Sequence, residues 1–464
     1  MGVNFSPFEI GRRALRASQL GLTVTGQNIA NVNTPGYTRQ AVQLSPDPSL
    51  GVTGALIGTG VTIDGVRSFR DQFIDARLQT ETAIAGRLTA QRDALAPVEA
   101  AFSETGQGGG LRDALNNFFG AFRDLEAHPS SVPVRTAVVQ QAGELASAFH
   151  ATRGRLLDIR AAADHALSAN TGQVNQLAQQ VATLNARISN FEDQGANASE
   201  LRNQREEAVR QLAELTGART VEDQSGQITL TLGDGRALVI GDHAADFQAT
   251  PTVPSGLSVL TLDGKPAVVS DGKLRGLLDA IDEIGAQITA LDQFAQEVAT
   301  RVNTLHASGT DLNGNAGGNF FEVPAGGAPI TAANIAVAST VQANPRLVVA
   351  SPLATPTSAA TVAGAIANLL TDTNSQVGTR TGSFNSIYAS IVAEAGASVK
   401  SADDSLSLQQ AILAQTTAQR ESISGVSLDE EAINLLQFQK AYEAAARFLK
   451  IADEMTQTIL ALGQ

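Results

Sequence analysis

The feature that most constrains this sequence is an apolar repeat with a period of seven residues, which recurs in several separate stretches. Its longest example covers residues 274–305, where two interleaved heptad positions stay apolar: Leu274, Ile281, Ile288, Ala295 and Val302 at one, and Leu277, Ile284, Leu291, Val298 and Leu305 at the other. A sustained repeat of this kind predicts long amphipathic helices that pack against one another. The chain is therefore expected to be mainly α-helical.

A second repeat, at residues 174–191, belongs to a helical stretch that starts near Val134 and is stopped by Asp193-Gln194-Gly195. Apolar spacing resumes at 201–215, so residues 134–216 are predicted to form an αα-hairpin. The internal repeats are therefore predicted to pack against one another as a helical bundle.

The two ends of the chain carry apolar stripes of their own. Near the N-terminus the stripe residues are Leu15, Leu22 and Ile29. Near the C-terminus a long predicted helix carries a larger set: Leu428, Leu435, Phe438, Tyr442, Leu449 and Ile459. Stripes so far apart in sequence can be buried only against each other or against neighbouring subunits.

The C-terminal helix has a clear start signal. Ser427 and Glu430 form a Ser-x-x-Glu capping box. Asp429 and Glu431 beside them lie where the helix dipole favours anions. Because neighbouring side chains on a helix point about 100° apart, these acids are predicted to be solvated or capping groups and not an acid–base pair.

Segments of a different character separate the repeats. Residues 37–69 are rich in Gly and β-branched residues, which predicts short strands and turns. Residues 217–271 alternate apolar and polar residues around the turn Gly233-Asp234-Gly235, which predicts a small β domain. Residues 307–360 are rich in Gly, Asn, Pro and Ala and predict loops, with one short strand at 347–349.

Composition and charge exclude several classes of function. The 464 residues carry 32 Lys and Arg against 46 Asp and Glu, a net charge of −14, which has the wrong sign for nucleic-acid binding. The absence of Cys excludes disulfides, zinc–thiolate sites and cysteine nucleophiles. No stretch approaches the roughly 18 apolar residues of a membrane span, so no membrane insertion is expected. Arg12, Arg13 and Arg16 interrupt the apolar region that a secretory signal needs.

The sequence predicts no catalytic residue, no cofactor and no bound metal, since its five His residues stand in no metal-ligand spacing. One loop resembles a Ca²⁺ site in part, because Asp311, Asn313, Asn315 and Glu322 match four ligand positions of a calcium-binding loop. Ala316 stands at the sixth position, where such loops need Gly. A polar turn is therefore the favoured interpretation.

An N-terminal motif resembles a known family. Residues 26–37, Gly-Gln-Asn-Ile-Ala-Asn-Val-Asn-Thr-Pro-Gly-Tyr, resemble the N-terminal signature of bacterial flagellar rod, hook and hook-associated proteins. The signature positions are Asn28, Asn31, Asn33, Thr34, Pro35, Gly36 and Tyr37. Thr38-Arg39-Gln40, directly after them, resembles the hook-associated branch, because rod and hook subunits usually have Lys after that Tyr.

The C-terminal segments 424–432, 435–442 and 452–455 are similar to the C-terminal signature of the hook–filament junction members of that branch. The loop from His306 to Phe321 resembles the same members. Longer members carry a further outer insertion after this loop, and this chain does not.

The resemblance implies a structural part of the bacterial flagellum that joins the hook to the filament and is exported by the flagellar type III system. It implies that the terminal helices pair as an axial coiled coil through the stripe residues named above. The implied partners are hook protein subunits, a second hook–filament junction protein of the FlgL type, an export chaperone of the FlgN type, and further copies of the chain in a helical ring. The implied location is extracellular, at the hook–filament junction.

The expected architecture is mainly α with a smaller β part: terminal helices forming an axial coiled coil, a long-helix bundle domain and a small outer β domain. The expected segments are 1–69 (N-terminal axial helix and extended segment), 70–216 (first part of the helical bundle), 217–271 (outer β domain), 272–306 (returning bundle helix), 307–360 (loop-rich segment), 361–425 (last part of the bundle) and 426–464 (C-terminal axial helix).

Two alternatives stay open. One is a rod or hook subunit of the same family, which the segment after Tyr37 and the C-terminal motif disfavour. The other is a secreted enzyme that uses flagellar ends for export, which would need an inserted domain with clustered His or carboxylates. Residues 217–271 contain one His and no such cluster.

Overall fold

The structure, a computed structural model, describes residues 7–34, 36–47, 50–52, 55–102, 110–194, 198–223, 226–253, 256–324, 329–352 and 361–462. In these ranges the helices are α1 (Pro7–Ala30), α2 (Gln72–Phe102), α3 (Leu111–Ala127), α4 (Val132–Glu192), α5 (Ser199–Thr216), α6 (Gly272–Ala307), α7 (Ser339–Ala343), α8 (Thr361–Asn368), α9 (Phe384–Ser424) and α10 (Leu428–Leu462). The strands before α6 are β1 (Gln40–Pro46), β2 (Leu50–Val52), β3 (Ala55–Ile57), β4 (Val61–Ser68), β5 (Arg219–Glu222), β6 (Ile228–Thr231), β7 (Ala237–Ile240), β8 (His243–Ala244), β9 (Phe247–Pro251), β10 (Ser258–Leu262) and β11 (Lys265–Pro266). Short strands follow in the last third: β12 (Gly309–Thr310), β13 (Phe321–Glu322), β14 (Ala336–Val337), β15 (Ser351–Pro352), β16 (Ser375–Val377) and β17 (Arg380–Gly382). The predicted fold class, mainly α with a smaller β part, is confirmed.

Helix α6 is the centre of the helical bundle, packed against α2 and α4. Nine of its ten heptad residues are buried, and Leu305 is partly buried against the core. The heptad prediction for 274–305 is therefore confirmed. The long helix α9 also packs against α2 and contacts α6, and α3 and α5 pack against α4.

Aromatic rings fill the bundle core. Phe118 and Phe122 of α3 meet Phe320, which follows α6, with ring centroids 5.9 and 5.6 Å apart. Phe294 of α6 stacks on Tyr388 of α9. These contacts tie the segment after α6 to helices that lie far away in the sequence.

The β module lies between α5 and α6 in the sequence and consists of two antiparallel sheets. The strand order is β5-β6-β7-β8 in one sheet and β11-β10-β9 in the other. Three polar side chains of α4 hold it. Asp164 accepts hydrogen bonds from Ser258, and Asn175 donates to and accepts from the backbone of Phe247. Asn185, which is 1% exposed, donates to the carbonyls of Ile228 and Gly241.

The extended segment after α1 is a hairpin. Strand β1 pairs antiparallel with β4 from Gln40↔Ser68 to Pro46↔Val61, with a bulge between Gln43 and Leu44. Strands β2 and β3 pair beyond it.

The predicted strand at 347–349 is wrong. Residues Pro345–Leu347 form a 3-10 turn, which Asn344 caps by accepting a hydrogen bond from the Arg346 N–H at 3.2 Å. The Val349 N–H then donates to Nε2 of His306 at 3.0 Å. Val348 and Val349 are buried in the core, which explains why the run is apolar although it joins no strand.

Candidate assembly site at the paired terminal helices

The terminal helices α1 and α10 pack against each other in a single chain. A Cβ atom at Gly11 would lie 2.6 Å from the Leu449 side chain, and one at Gly21 would lie 2.5 Å from the ring of Phe438. Farther along α1, Asn28 contacts Glu431. The partners of α1 thus occur in descending order along α10, so the helices are antiparallel.

The closest face of α1 consists of small residues. Gly11, Ser18, Gly21 and Thr25 are buried at spacings of three, four and seven residues. The predicted stripe of Leu15, Leu22 and Ile29 is only half-buried. Side chains of α10 pack directly on two of these small residues, Gly11 and Gly21.

The predicted stripe of α10 is divided. Phe438 and Leu449 lie against α1. Leu428, Leu435 and Tyr442 are 52%, 36% and 41% exposed in the single chain. The side chain of Ile459 lies outside the described residues. The structure therefore brings some of the predicted interface residues together and leaves others on the surface.

A second apolar face of α10 is uncovered. Phe448, Ile451, Met455 and Leu462 are exposed by 43%, 56%, 61% and 83%. Their spacing of three, four and seven residues places them on one face of the helix. Phe448 lies at its border with the face that carries Phe438 and Leu449, since a Cβ atom at Gly11 would lie 3.1 Å from the Phe448 ring.

The N-terminal signature builds a polar contact at the end of α1. Asn28 is 1% exposed: its Nδ2 donates to the Gln40 carbonyl at 2.8 Å, and its Oδ1 accepts from the Gln40 N–H at 3.0 Å. The Tyr37 hydroxyl donates to the same Oδ1 at 2.9 Å. Burial raises the pKa of Tyr37 to about 12, with Glu200 and Glu431 adding to the shift, so its hydroxyl keeps the proton it donates.

The other signature residues shape the turn after α1. The Asn31 Nδ2 donates to the Gln27 carbonyl at 3.0 Å, and the Thr34 hydroxyl donates to Asn31 at 3.1 Å. Gly36 has φ +80°, a conformation that favours glycine. Asn33 is exposed, and Pro35 lies outside the described residues.

Glu431 corrects the prediction that the acids at 429–431 are solvated or capping groups. It is 1% exposed and accepts hydrogen bonds from Asn28 Nδ2 at 3.0 Å and Arg39 Nε at 2.8 Å. Arg39 also pairs with Glu430 at 2.8 Å. The Glu430 side chain therefore forms an ion pair with Arg39. Its backbone N–H donates to Ser427 Oγ at 3.5 Å, which is a long hydrogen bond and one of the two that the predicted capping box requires. The sequence singled out Arg39 only as part of the segment that resembles the hook-associated branch. It gave no sign that Glu431 is buried.

The loop that resembles a calcium site has other partners. Asp311 accepts hydrogen bonds from the N–H groups of Asn313 and Asn315, both at 2.8 Å, which lowers the pKa of its carboxyl group against the effect of burial. Glu322 accepts from the Ser339 N–H at 2.8 Å. The carboxylates thus stabilise a turn and a strand end. Across the described ranges, no group of three or more His, Asp or Glu is arranged to hold a metal ion.

None of the described helices combines the length and apolarity that crossing a lipid bilayer requires.

The ends of the chain define its class. Residues 8–38 match the family described as "Flagella basal body rod protein", and residues 418–462 match "Flagellar basal body rod FlgEFG protein C-terminal". These matches cover α1 with the signature turn and α10 with the end of α9. The paired terminal helices are thus similar to terminal segments of flagellar basal body rod proteins.

The region between the ends is more specific. Residues 95–321 match "Flagellar hook-associated protein FlgK helical domain". Flagellar hook-associated protein 1 of Bacillus subtilis is 28% identical over 508 residues, covering 99% of this chain and 98% of that protein. The Escherichia coli protein of the same name is 29% identical over 321 residues, covering 67% of this chain and 58% of its own length. The solved flagellar hook junction protein FlgK from Burkholderia pseudomallei shares the fold, with a TM-score of 0.63 and 16% identity over 75% of this chain and 100% of that one. These similarities support a structural component of the flagellar hook–filament junction.

Proposed function

We propose that this chain acts as a non-catalytic structural subunit that is incorporated at the hook–filament junction through its paired terminal helices. The observation that carries the proposal is the division of α10 into two apolar faces. One face, with Phe438 and Leu449, is covered by α1, and the other, with Ile451, Met455 and Leu462, is exposed.

An exposed stripe of this kind favours association. Soluble monomers rarely expose long contiguous apolar patches, because burial of apolar surface away from water lowers the free energy. A stripe that differs from the surface it meets on the next subunit gives a heterologous contact, and repeated contacts of that type build rings or helices. We propose that Leu428, Leu435 and Tyr442 extend the contact between subunits.

The proposed partners follow from the proposed place in the flagellum. They are hook protein subunits on one side and a FlgL-type second junction protein on the other, with further copies of this chain around the ring. We also propose export through the flagellar type III system, with a FlgN-type chaperone covering α10 beforehand. Phe438, Tyr442, Phe448 and Leu449 are the residues to change in a test of chaperone binding.

Substitution on the face of α10 that carries Leu435 and Tyr442 tests the proposal in cells. We expect Leu435→Asp and Tyr442→Asp, expressed in a strain that lacks the native gene, to leave filaments unformed, because a charge in a buried subunit contact is costly. Both residues are exposed in the single chain, so the purified variants should keep their helical circular dichroism. Lys440→Asp, at an exposed position on a different face of the same helix, is the matched control and should restore filaments. Normal filaments with both Leu435→Asp and Tyr442→Asp would contradict the role of this face.

A further inference from the structure

The turn that follows α1 is held by a side chain from the opposite end of the chain. The Nη2 of Arg420, on α9, donates to the Gly36 carbonyl at 3.0 Å and to the Thr38 hydroxyl oxygen at 3.1 Å. Its Nε donates to Asp75 of α2 at 3.2 Å. One guanidinium therefore joins the signature turn, α9 and α2.

The contact continues into the helical bundle. The second carboxylate oxygen of Asp75 accepts from Arg70 Nε at 2.7 Å, and Arg70 pairs with Glu206 of α5. The side chains of Arg420, Asp75, Glu206 and Arg70 are 14%, 18%, 22% and 27% exposed. Ion pairs this far removed from water are less screened than surface pairs and hold their geometry better.

Two backbone features leave the turn little freedom. The Arg39 N–H donates to the Ser424 carbonyl at 2.9 Å, which joins the turn to the end of α9. At Gly36, a Cβ atom would lie 3.0 Å from Oε2 of Glu207 on α5. The turn therefore lies between α5 and α9, where a side chain at Gly36 would require the Glu207 carboxylate to shift.

We propose that Arg420 is the positioning residue of a rigid joint that holds the paired terminal helices α1 and α10 at a fixed angle to the helical bundle. The joint would carry load from the axial helices to the body of the subunit without bending. It is a property of the single chain and goes beyond incorporation into the junction.

Arginine suits this position for a geometric reason. Its planar guanidinium presents several N–H donors in fixed directions, so it can bridge a carbonyl, a hydroxyl and a carboxylate at once. The ammonium group of lysine is a compact charge that cannot reach the same three acceptors. Arg420→Lys should therefore keep the positive charge but lose the simultaneous contacts with the Gly36 carbonyl, the Thr38 hydroxyl and the Asp75 carboxylate.

Pairs of spin labels measure the joint directly. The chain has no Cys, so single cysteines can be introduced at exposed Thr289 on α6 and Lys450 on α10 and labelled without background. In the otherwise unchanged chain we expect one narrow distance distribution. Arg420→Gln and Arg420→Lys should each give a distribution about twice as wide, because the helix pair can then pivot about the turn.

Matched variants keep the test specific. Arg380→Gln removes an ion pair with Glu394 at the opposite end of α9 and should leave the distribution narrow. Thr38→Val removes one acceptor of Arg420 with little change in shape and should widen the distribution by less than Arg420→Gln does. Helical circular dichroism shows whether each variant is folded. A wide distribution without any substitution at the joint, or a narrow one in folded Arg420→Gln, would overturn the proposal.

Discussion

Asn28 and Glu431 lie 403 positions apart in the sequence and share a hydrogen bond of 3.0 Å between the Asn28 Nδ2 and a Glu431 carboxylate oxygen. Glu431 is 1% exposed, and its other oxygen accepts from Arg39 at 2.8 Å. The contact joins the end of α1, the start of β1 and the first turn of α10 at one point. Pairing of the terminal helices and ordering of the signature turn are therefore coupled.

Removal of the Glu431 carboxylate should loosen the terminal helices. Glu431→Ala leaves the buried Asn28 amide and Arg39 guanidinium without that acceptor, at a cost of about 2 kcal/mol. We expect amide hydrogen exchange in α1 and α10 to become about 30-fold faster, with α6 unchanged. Glu430→Gln is the control, since the Glu430 side chain is 60% exposed and its pair with Arg39 should contribute less than about 1 kcal/mol. Equal protection in Glu431→Ala and the unchanged chain would show that the contact does not hold the pair together.

Two glycines of α1 should respond in opposite directions to the same substitution. Gly21→Ala places a methyl group against the Phe438 ring and should destabilise the α1–α10 contact by roughly 1–3 kcal/mol. Gly26→Ala meets nothing within 4 Å and should stabilise α1 by about 1 kcal/mol, because alanine has the higher helix propensity. Hydrogen exchange of the two single variants measures both effects. Similar shifts of the same sign would argue against close packing at Gly21.

His306 should make stability depend on pH. Its Nδ1 contacts the Gly318 carbonyl at 2.7 Å, and its Nε2 accepts from the Val349 N–H, so the folded chain holds the neutral ring. Burial lowers the pKa of His306 from 6.5 to about 4. Between these values the unfolded chain binds a proton that the folded chain does not, so the free energy of unfolding should fall by roughly 3 kcal/mol as the pH is lowered from 6.5 to 4.

Glu206 changes the stability with pH in the opposite direction to His306. The contribution of His306 is therefore measured by comparing variants. Burial raises the pKa of Glu206 from 4.5 to about 6, so its contribution to stability falls as the pH rises through that range. His306→Gln should flatten the part of the pH profile that His306 causes. His165→Gln, at an exposed position, should leave the profile unchanged. A profile of His306→Gln parallel to that of the unchanged chain would rule out the assignment.

The parts of the fold that follow from local periodicity were predictable from the sequence. The heptads of α6 are buried as expected, because a long apolar stripe can be satisfied by any matching helix. The strand predicted at 347–349 is wrong, because Val348 and Val349 are buried without strand pairing and the Val349 N–H donates a hydrogen bond to His306.

The candidate site was harder to predict, because its geometry depends on residues from both ends of the chain. Apolar spacing drew attention to Leu15 and Leu22, whereas side chains of α10 pack directly on Gly11 and Gly21. Glu431 lies in a run of acids that is typical of a helix start. Its burial depends on Asn28 and Arg39, and nothing in its own neighbourhood reveals that.

Deletion of the gene, with electron microscopy of the cell surface and assay of the culture medium for flagellin, tests the central claim most directly. A subunit of the hook–filament junction should be dispensable for the hook and required for the filament. We therefore expect cells with hooks and no filaments, and flagellin released into the medium. Loss of the hooks themselves would instead indicate a rod or hook subunit, and normal filaments would contradict a structural role in the junction.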